Sequence, residues 1–408
     1  MADKSKIEWT DATWNPITGC TLVDEGCRNC YAAHLITNWP AIGNHPSRKG
    51  LARKNANGES KFTGEVRFNA QWLDQPLRWK KPRKIFVCAH GDLFHESVPD
   101  EWIDQIFAVM ALAPQHTFQV LTKRPERARE YLSAFKGYQH PGSRVLVGLH
   151  FAREEAAGPP NASYYTRGGV APNERPKESP LFHATHWPLP NLWLGTSISD
   201  QPSADLRIPE LLATPAAVRF VSYEPALGPV DLACVAPGQH LRGATSREHV
   251  VHALMGGIWD KLLRVADVSG PGLDWVICGG ESGPNARPMH PDWARSLRDQ
   301  CAADDVPFLF KQWGEWLPLN QTQDGESDAY YHPAPARDPE ASRRCKYDNL
   351  CLSTNGSAKP LGVAGGYQTA AKGVFSHAGD MTIFCIGKAR AGRLLDGVEH
   401  NGFPGVKG

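Results

Sequence analysis

The residues best able to do chemistry gather in Gly19-Cys20-Thr-Leu-Val-Asp-Glu-Gly26-Cys27-Arg-Asn-Cys30-Tyr31-Ala32, where six residues separate the first two cysteines and two separate the second from the third. Three thiols that close together in a glycine-punctuated loop seldom arise without a shared ligand, because thiolate sulfur is the soft donor that zinc and iron-sulfur clusters take. Two ligands compete. Cys20, Cys27, Cys30 and His34 could supply the closed four-donor set of a zinc site, for which a Cys-x2-Cys step is ordinary. The three cysteines alone would hold a [4Fe-4S] cluster with one iron left open to an exchangeable ligand, and a three-cysteine set favours that reading. Three buried structural thiols are the plain alternative.

A second group of polar residues follows short apolar runs. After Ile85 to Ala89 come His90, Gly91, Asp92, His95 and Glu96; after Thr117 to Leu121 come Thr122, Lys123, Arg124 and Pro125. Leu192 to Gly195 leads into Thr196, Ser197, Ser199 and Asp200, Val218 to Val221 into Ser222, Tyr223 and Glu224, and Trp275 to Cys278 into Gly279, Gly280, Glu281 and Ser282. Asp, Ser and Gly in such turns also cap helices, the ordinary role for Ser199, Asp200 and Ser282. A carboxylate such as Asp92, Glu224 or Glu281 behind an apolar strand is costly unless a cation or donor meets it, so the set points to a polar ligand. Lys123 and Arg124 suit a carboxylate or phosphate, or else pair with Glu126 or with solvent.

These turns need elements to hold them. The apolar runs, with a less marked one around Lys6 to Trp9, read as six strands. Helical period appears over Asp100 to Ala113, with Trp102, Ile103, Ile106, Phe107 and Met110 on one face, over Pro125 to Phe135 behind an opening proline, and over Pro291 to Ala303, with Trp293, Leu297 and Cys301 in line. Strand and helix alternation predicts an α/β fold with a mainly parallel sheet. Six units predict a partial (β/α)6 TIM-like barrel with loop and helical insertions, its ligands at the carboxyl ends of the strands. The barrel is expected over residues 1–318, interrupted by Lys136 to Pro190 and by Cys234 to Gly272, the latter with a helix from Glu248 to Val265. Residues 319–408 form a C-terminal extension, largely irregular, especially over Asn320 to Asp380.

The chain of 408 residues carries 44 Lys and Arg against 43 Asp and Glu, a net charge of +1, so a phosphate-binding surface must come from local clustering and not from overall charge. With 41% hydrophobic residues and 13 Trp it can build a large core, which excludes global disorder. No apolar stretch of about 18 residues is present, so no membrane span is expected. Ten cysteines spread through so long a chain do not form the disulfide framework of a small secreted fold, and a cytoplasmic protein is expected.

Several phrases resemble a known group. They are Trp14-Asn-Pro-Ile-Thr-Gly-Cys20, Gly26-Cys-Arg-Asn-Cys-Tyr-Ala32, Asp92-Leu-Phe-His-Glu96, Leu121-Thr-Lys-Arg-Pro125, Trp193-Leu-Gly195, Glu224-Pro-Ala-Leu-Gly-Pro-Val-Asp231, Gly279-Gly-Glu-Ser-Gly283 and Lys311-Gln-Trp-Gly-Glu-Trp316, with a tail at 382–404 that includes Ala391-Gly-Arg-Leu-Leu-Asp-Gly397. Together they resemble the phage and prophage proteins with a three-cysteine motif, which are similar to a divergent branch of the radical S-adenosylmethionine superfamily. That superfamily usually spaces its cysteines by three and then two residues, so the six-residue gap is a departure.

The resemblance implies a [4Fe-4S] cluster on Cys20, Cys27 and Cys30, with the aromatic Tyr31 and a helix from Ala32 to Trp39 directly behind. It implies S-adenosylmethionine on the open iron, cleaved after one-electron reduction to a 5′-deoxyadenosyl radical that takes hydrogen from a substrate, and a low-potential donor of flavodoxin or ferredoxin type. By position, Asp92 would meet the methionyl ammonium, Ser197 or Glu224 the ribose, Lys123 or Arg124 the carboxylate, and Glu281 the substrate. Gln312, Trp313 and Trp316 either border that cavity, where aromatic and basic residues could stack a base, or pack in the core. A nucleic acid or nucleotide is the leading expectation for substrate. A zinc-stabilised nucleic-acid-binding protein without catalysis, and a radical enzyme acting on a peptide or small metabolite, are the alternatives.

Overall fold

A computed structural model describes residues 5, 7–133, 188–237, 249–260, 265–268, 270–322, 329–332, 345–361 and 379–405. The insertion expected at Lys136 to Pro190 lies almost wholly outside the described residues. The main sheet has seven strands: β1 (Ala12–Trp14), β2 (Lys84–Val87), β3 (Thr117–Thr122), β4 (Leu192–Ile198), β5 (Val218–Tyr223), β6 (Trp275–Gly279) and β7 (Phe308–Gln312). Their spatial order is their order in the chain. The registered pairs β1 with β2, β2 with β3, β3 with β4, β5 with β6 and β6 with β7 are all parallel. The α/β class expected from the alternation is therefore present.

The strand count and one strand position differ from expectation. The apolar run Val306 to Phe310 supplies a seventh strand. The first strand lies not at Lys6 to Trp9 but at Ala12–Trp14, because Asp11 starts the ladder: its N–H donates to Lys84 O at 2.9 Å and its Oδ2 accepts from Lys84 N at 2.7 Å. Trp9 precedes that start, and its ring packs on Phe86 with centroids 4.7 Å apart.

Contacts divide the chain into two compact units. The first comprises Met1–Asp24, Ala32–Thr196 and Glu210–Arg219; the second comprises Glu25–Tyr31, Ser197–Pro209 and Phe220–Gly408. In the first, α1 (Tyr31–Asn38) follows the cysteine loop, α2 (Asp100–Leu112) joins β2 to β3, and α3 (Pro125–Leu132) leaves β3. The predicted face of α2 is the one buried, with Ile103, Ile106, Phe107 and Met110 inaccessible to solvent, while Trp102 stacks on Phe68 at 5.2 Å. Each such burial contributes about 1.5–3 kcal/mol, so removing the Phe107 ring is expected to cost about 3–5 kcal/mol.

In the second unit, α4 (Gln201–Leu212) contributes its residues as far as Pro209 and α5 (Pro291–Ala303) joins β6 to β7. Helix α5 buries Trp293, Leu297 and Cys301 along one line, and the His290 side chain caps it by accepting from Asp292 N at 3.2 Å. Where an irregular extension was expected, an antiparallel sheet forms from β8 (Trp316–Pro318), β9 (Asn349–Leu352), β10 (Ala358–Pro360) and β11 (Met381–Cys385), in the order β8-β11-β9-β10. Its strands are short, but Asn355 and Gly356 between β9 and β10 are a hairpin turn signal, with Gly356 at φ +90°.

Over the described residues of the span Glu248 to Val265 no helix forms. They contribute instead to an antiparallel sheet of His249–Val251, Ile258–Asp260 and Val265–Val268. Gly256 and Gly257, at φ +73° and +120°, turn the chain where a helix would have to continue. The tail then packs across this unit: Phe310 N donates to His400 O at 3.0 Å, Trp275 Nε1 to Gly402 O at 2.7 Å, and the Trp275 and Phe403 rings lie 4.9 Å apart.

Candidate functional site

In the first unit the turns after β2 and β3 meet the first arm of the cysteine loop. Strand β3 ends at Thr122, and Pro125, at the first position of α3, stops the extended chain so that Lys123 and Arg124 occupy the turn. The Arg124 guanidinium donates through Nη1 to Asp92 Oδ2 at 3.1 Å, through Nε to Glu96 Oε1 at 2.7 Å, and through Nη2 to Thr21 Oγ1 at 2.5 Å. Its Nη1 also lies 3.7 Å from Cys20 Sγ. Burial works against the charge on Arg124, but Asp92, Glu96 and Cys20 outweigh it and push its pKa upward. An arginine held in this way is a fixed cation beside the Cys20 sulfur.

Asp92 is buried and fully occupied. Oδ1 accepts from Phe94 N at 3.0 Å and Thr122 Oγ1 at 2.7 Å, and Oδ2 accepts from Lys123 N at 3.2 Å as well as from Arg124. Lys123 Nζ reaches Asp24 Oδ1 at 2.8 Å. Asp92, Lys123 and Arg124, singled out for the ends of a ligand, are thus brought together as partners of one another and of the loop. Arg124 chooses Asp92 and Glu96 over the Glu126 expected as its simpler partner. His95 lies in the same cluster, its Nε2 at 3.1 Å from Thr21 Oγ1. Burial first, and then Arg124, hold it neutral by pulling its pKa down.

The second unit contains the other arm of the loop, a single tight turn at Glu25–Cys27 followed by Cys30. Glu281, almost fully buried, accepts from Asn29 Nδ2 at 2.9 Å and from Arg287 through N at 2.8 Å, Nε at 2.9 Å and Nη2 at 2.6 Å. Arg287 Nη2 also donates to Glu25 O at 2.9 Å. Glu281 therefore holds Asn29, between Cys27 and Cys30, together with Arg287. Arg287 and Asn29 had not been singled out, although Asn29 sits between the two cysteines and Arg287 only six residues beyond Glu281.

The glycines ahead of Glu281 have packing reasons. A Cβ on Gly280 would stand 2.0 Å from Trp313 O, and one on Gly279 would stand 2.6 Å from Glu224 Oε1. Glu224 pairs through Oε1 with Lys311 Nζ at 3.0 Å and accepts at Oε2 from Ser222 Oγ at 3.2 Å. Ser197 Oγ donates to Glu224 O at 3.1 Å, so these two candidates do adjoin. Trp313 is core: it is buried and its Nε1 donates to Leu394 O at 2.8 Å. Trp316, half-buried, donates to Ala286 O at 2.6 Å. Gln312 is buried at the end of β7, its Oε1 without a partner among the described residues.

Among the described residues, no group of three or more His, Cys, Asp or Glu side chains forms a metal-binding array. The fit of a cluster to this chain rests on donor chemistry. Cys20, Cys27 and Cys30 are partly accessible, as are Cys234 and Cys385, whereas Cys88, Cys278, Cys301, Cys345 and Cys351 are buried. Burial raises the pKa of the Cys301 thiol to about 12 and that of Cys278 well above the ordinary range, which leaves both unreactive. Tyr31 is 59% exposed behind Cys30. The fourth zinc donor considered, His34, has its Nδ1 3.0 Å from Asn38 Nδ2 and its ring edge-on to Trp39, a contact that leaves Nε2 to act as a donor.

Fold and site define an α/β protein with a sequentially ordered sheet, a cysteine-bearing loop and carboxylate-guanidinium clusters behind it. A family model described as a protein of unknown function (DUF5131) matches residues 4–404, and the chain belongs to that family. No curated protein and no solved structure matches it.

Proposed function

We propose that this chain is a radical S-adenosylmethionine enzyme whose Cys20, Cys27 and Cys30 ligate a [4Fe-4S] cluster and whose substrate is a nucleic acid or nucleotide. The observation that carries the reading is the set of three accessible thiols on one loop, with the Arg124 fork 3.7 Å from the first of them. When bound, the cluster and S-adenosylmethionine supply a carbon radical that abstracts hydrogen, with one electron drawn from a low-potential flavodoxin- or ferredoxin-type donor. The sequential parallel sheet is the winding that a partial TIM-like barrel requires.

The chain's own residues then hold and orient. Arg124 and Lys123, fixed by Asp92, Glu96 and Asp24, restrain the Cys20 arm. Glu281, through Arg287 and Asn29, restrains the arm bearing Cys27 and Cys30. Tyr31 adjoins the cofactor, and Ser197 and Glu224, with Lys311 balancing the carboxylate, face the ribose or substrate. The reaction belongs in a reducing compartment, the cytoplasm, where partly accessible thiols persist. No helix of the described residues is long and apolar enough to cross a membrane.

The test is anaerobic purification with metal and sulfide analysis and an absorption spectrum, followed by dithionite and S-adenosylmethionine with chromatography for 5′-deoxyadenosine. About four irons per chain and reductive cleavage are expected. One zinc, no iron and no cleavage would overturn the reading in favour of a zinc-stabilised binding protein.

A further inference from the structure

The first unit carries a charge asymmetry that the cysteine loop does not use. Residues 40–68 contain six Lys and Arg against two Glu, in a chain whose net charge is +1. Both glutamates are neutralised locally: Glu59 lies 3.4 Å from Lys61 and Glu65 lies 2.6 Å from Arg67. Arg48 is buried, and its Nε donates to His90 Nδ1 at 2.7 Å. That leaves Lys49, Arg53 and Lys54, all exposed, with no side-chain hydrogen bond or ion pair among the described residues.

The three cations are not scattered. They line one open groove of about 370 Å³ together with Ile36 and Thr37 of α1 and Asn44. Arg53 and Lys54 are carried on the strand Ala52–Lys54, paired in register with Ser60–Phe62, which fixes their spacing. Trp39, 49% exposed, sits between Thr37 and the groove residue Pro40, its ring braced edge-on by His34 at 5.7 Å. Unpaired cations along a concave track beside a braced, exposed indole are the combination that holds a phosphate backbone while stacking a base.

We propose that this groove binds the backbone of single-stranded nucleic acid, with Lys49, Arg53 and Lys54 on phosphates and Trp39 against a base. The proposal rests on the reading that the substrate is a nucleic acid, and it assigns the surface that holds it.

The test is fluorescence anisotropy of a labelled oligodeoxythymidylate of about 16 nucleotides, titrated with the full chain across a range of salt concentrations. Lys49→Glu, Arg53→Glu and Lys54→Glu combined are expected to weaken binding at least about tenfold at low salt, and to flatten the log-log salt slope by about 2, since each single-strand contact contributes about 0.7. Trp39→Ala is expected to weaken binding while leaving the salt slope unchanged. The neutral Gln triple variant gives the same slope change should the Glu variant fail to fold, with circular dichroism and the thermal midpoint reporting folding.

Wild-type affinity and slope in the folded triple variants overturn the proposal. So does wild-type protein that binds phosphatidylserine vesicles but not the oligonucleotide. Iron content and uncoupled cleavage of S-adenosylmethionine, measured without oligonucleotide, stay at wild-type values in the groove variants. A chain that binds the oligonucleotide through these residues but holds no iron would sink the radical reading alone.

Discussion

Arg124 and Asp92 form a pair in which each side chain is about 7% exposed, and such a pair is informative chiefly when one partner is removed. Arg124→Ala leaves Asp92 buried without its cation, and a loss of about 3–5 kcal/mol is expected in the urea midpoint, with Arg124→Lys recovering only part because it lacks the fork. His90 gives a separate test by pH. Burial first, and then Arg48, pull its pKa from the ordinary 6.5 to about 3. Between those values the unfolded chain binds a proton that the folded chain refuses, so stability falls as pH drops below 6.5. His90→Asn, which can still accept from Arg48, is expected to flatten that fall by up to about 1.4 kcal/mol per pH unit in urea melts at pH 6.5 and 5. An unchanged slope would show that His90 takes up its proton alike in the folded and the unfolded chain.

At the scale of elements, glycine positions decide how closely neighbouring segments approach. Gly19, directly before Cys20, has φ +98°, and a Cβ there would lie 2.0 Å from Glu65 O. Gly280 is as tight against Trp313 O. Gly19→Ala and Gly280→Ala are each expected to cost about 2 kcal/mol or more in urea melts, through strain and overpacking. Gly19→Ala is further expected to lower the iron retained per chain, because it displaces the loop that carries Cys20. Equal iron content in a destabilised Gly19→Ala protein would separate the loop's shape from its ligand role.

For the whole molecule, the C-terminal tail is structural. Asp396 binds Arg295 at 2.6 Å and Arg298 at 2.8 Å, and these arginines hold its carboxyl well below the ordinary range. Gly402 leaves no room for a side chain beside Phe308. Deleting residues 392–408 strips Trp275 of its carbonyl acceptor and exposes the edge of β7. Faster proteolysis within the second unit and a lowered thermal midpoint are expected, while the first unit's fragments persist on gels. Equal protection of both units would show the tail to be dispensable.

Much of this was legible because it depends on local chemistry and short periods. The cysteine spacing, the one-sided apolar face of α2, the span Pro291–Ala303 and the polar turns after each strand follow from residue type and interval alone. The sequence by itself determined the α/β alternation and the residues that stand in those turns. Tertiary structure decided their employment. Asp92, Lys123, Arg124 and Glu281 read as ligand contacts because a buried charge demands a partner, and the folded chain shows them also paired with Glu96, Asp24 and Asn29 from distant segments and with Arg287 six residues beyond Glu281. Strand pairing was hidden for the same reason. The residues after Glu248 carry apolar spacing that suits a helix, and only long-range hydrogen bonding, with two glycines turning the chain, selects a sheet. That Lys49, Arg53 and Lys54 have no acidic partner among the described residues is likewise a tertiary fact, because a cation's freedom depends on which acids the fold brings to it.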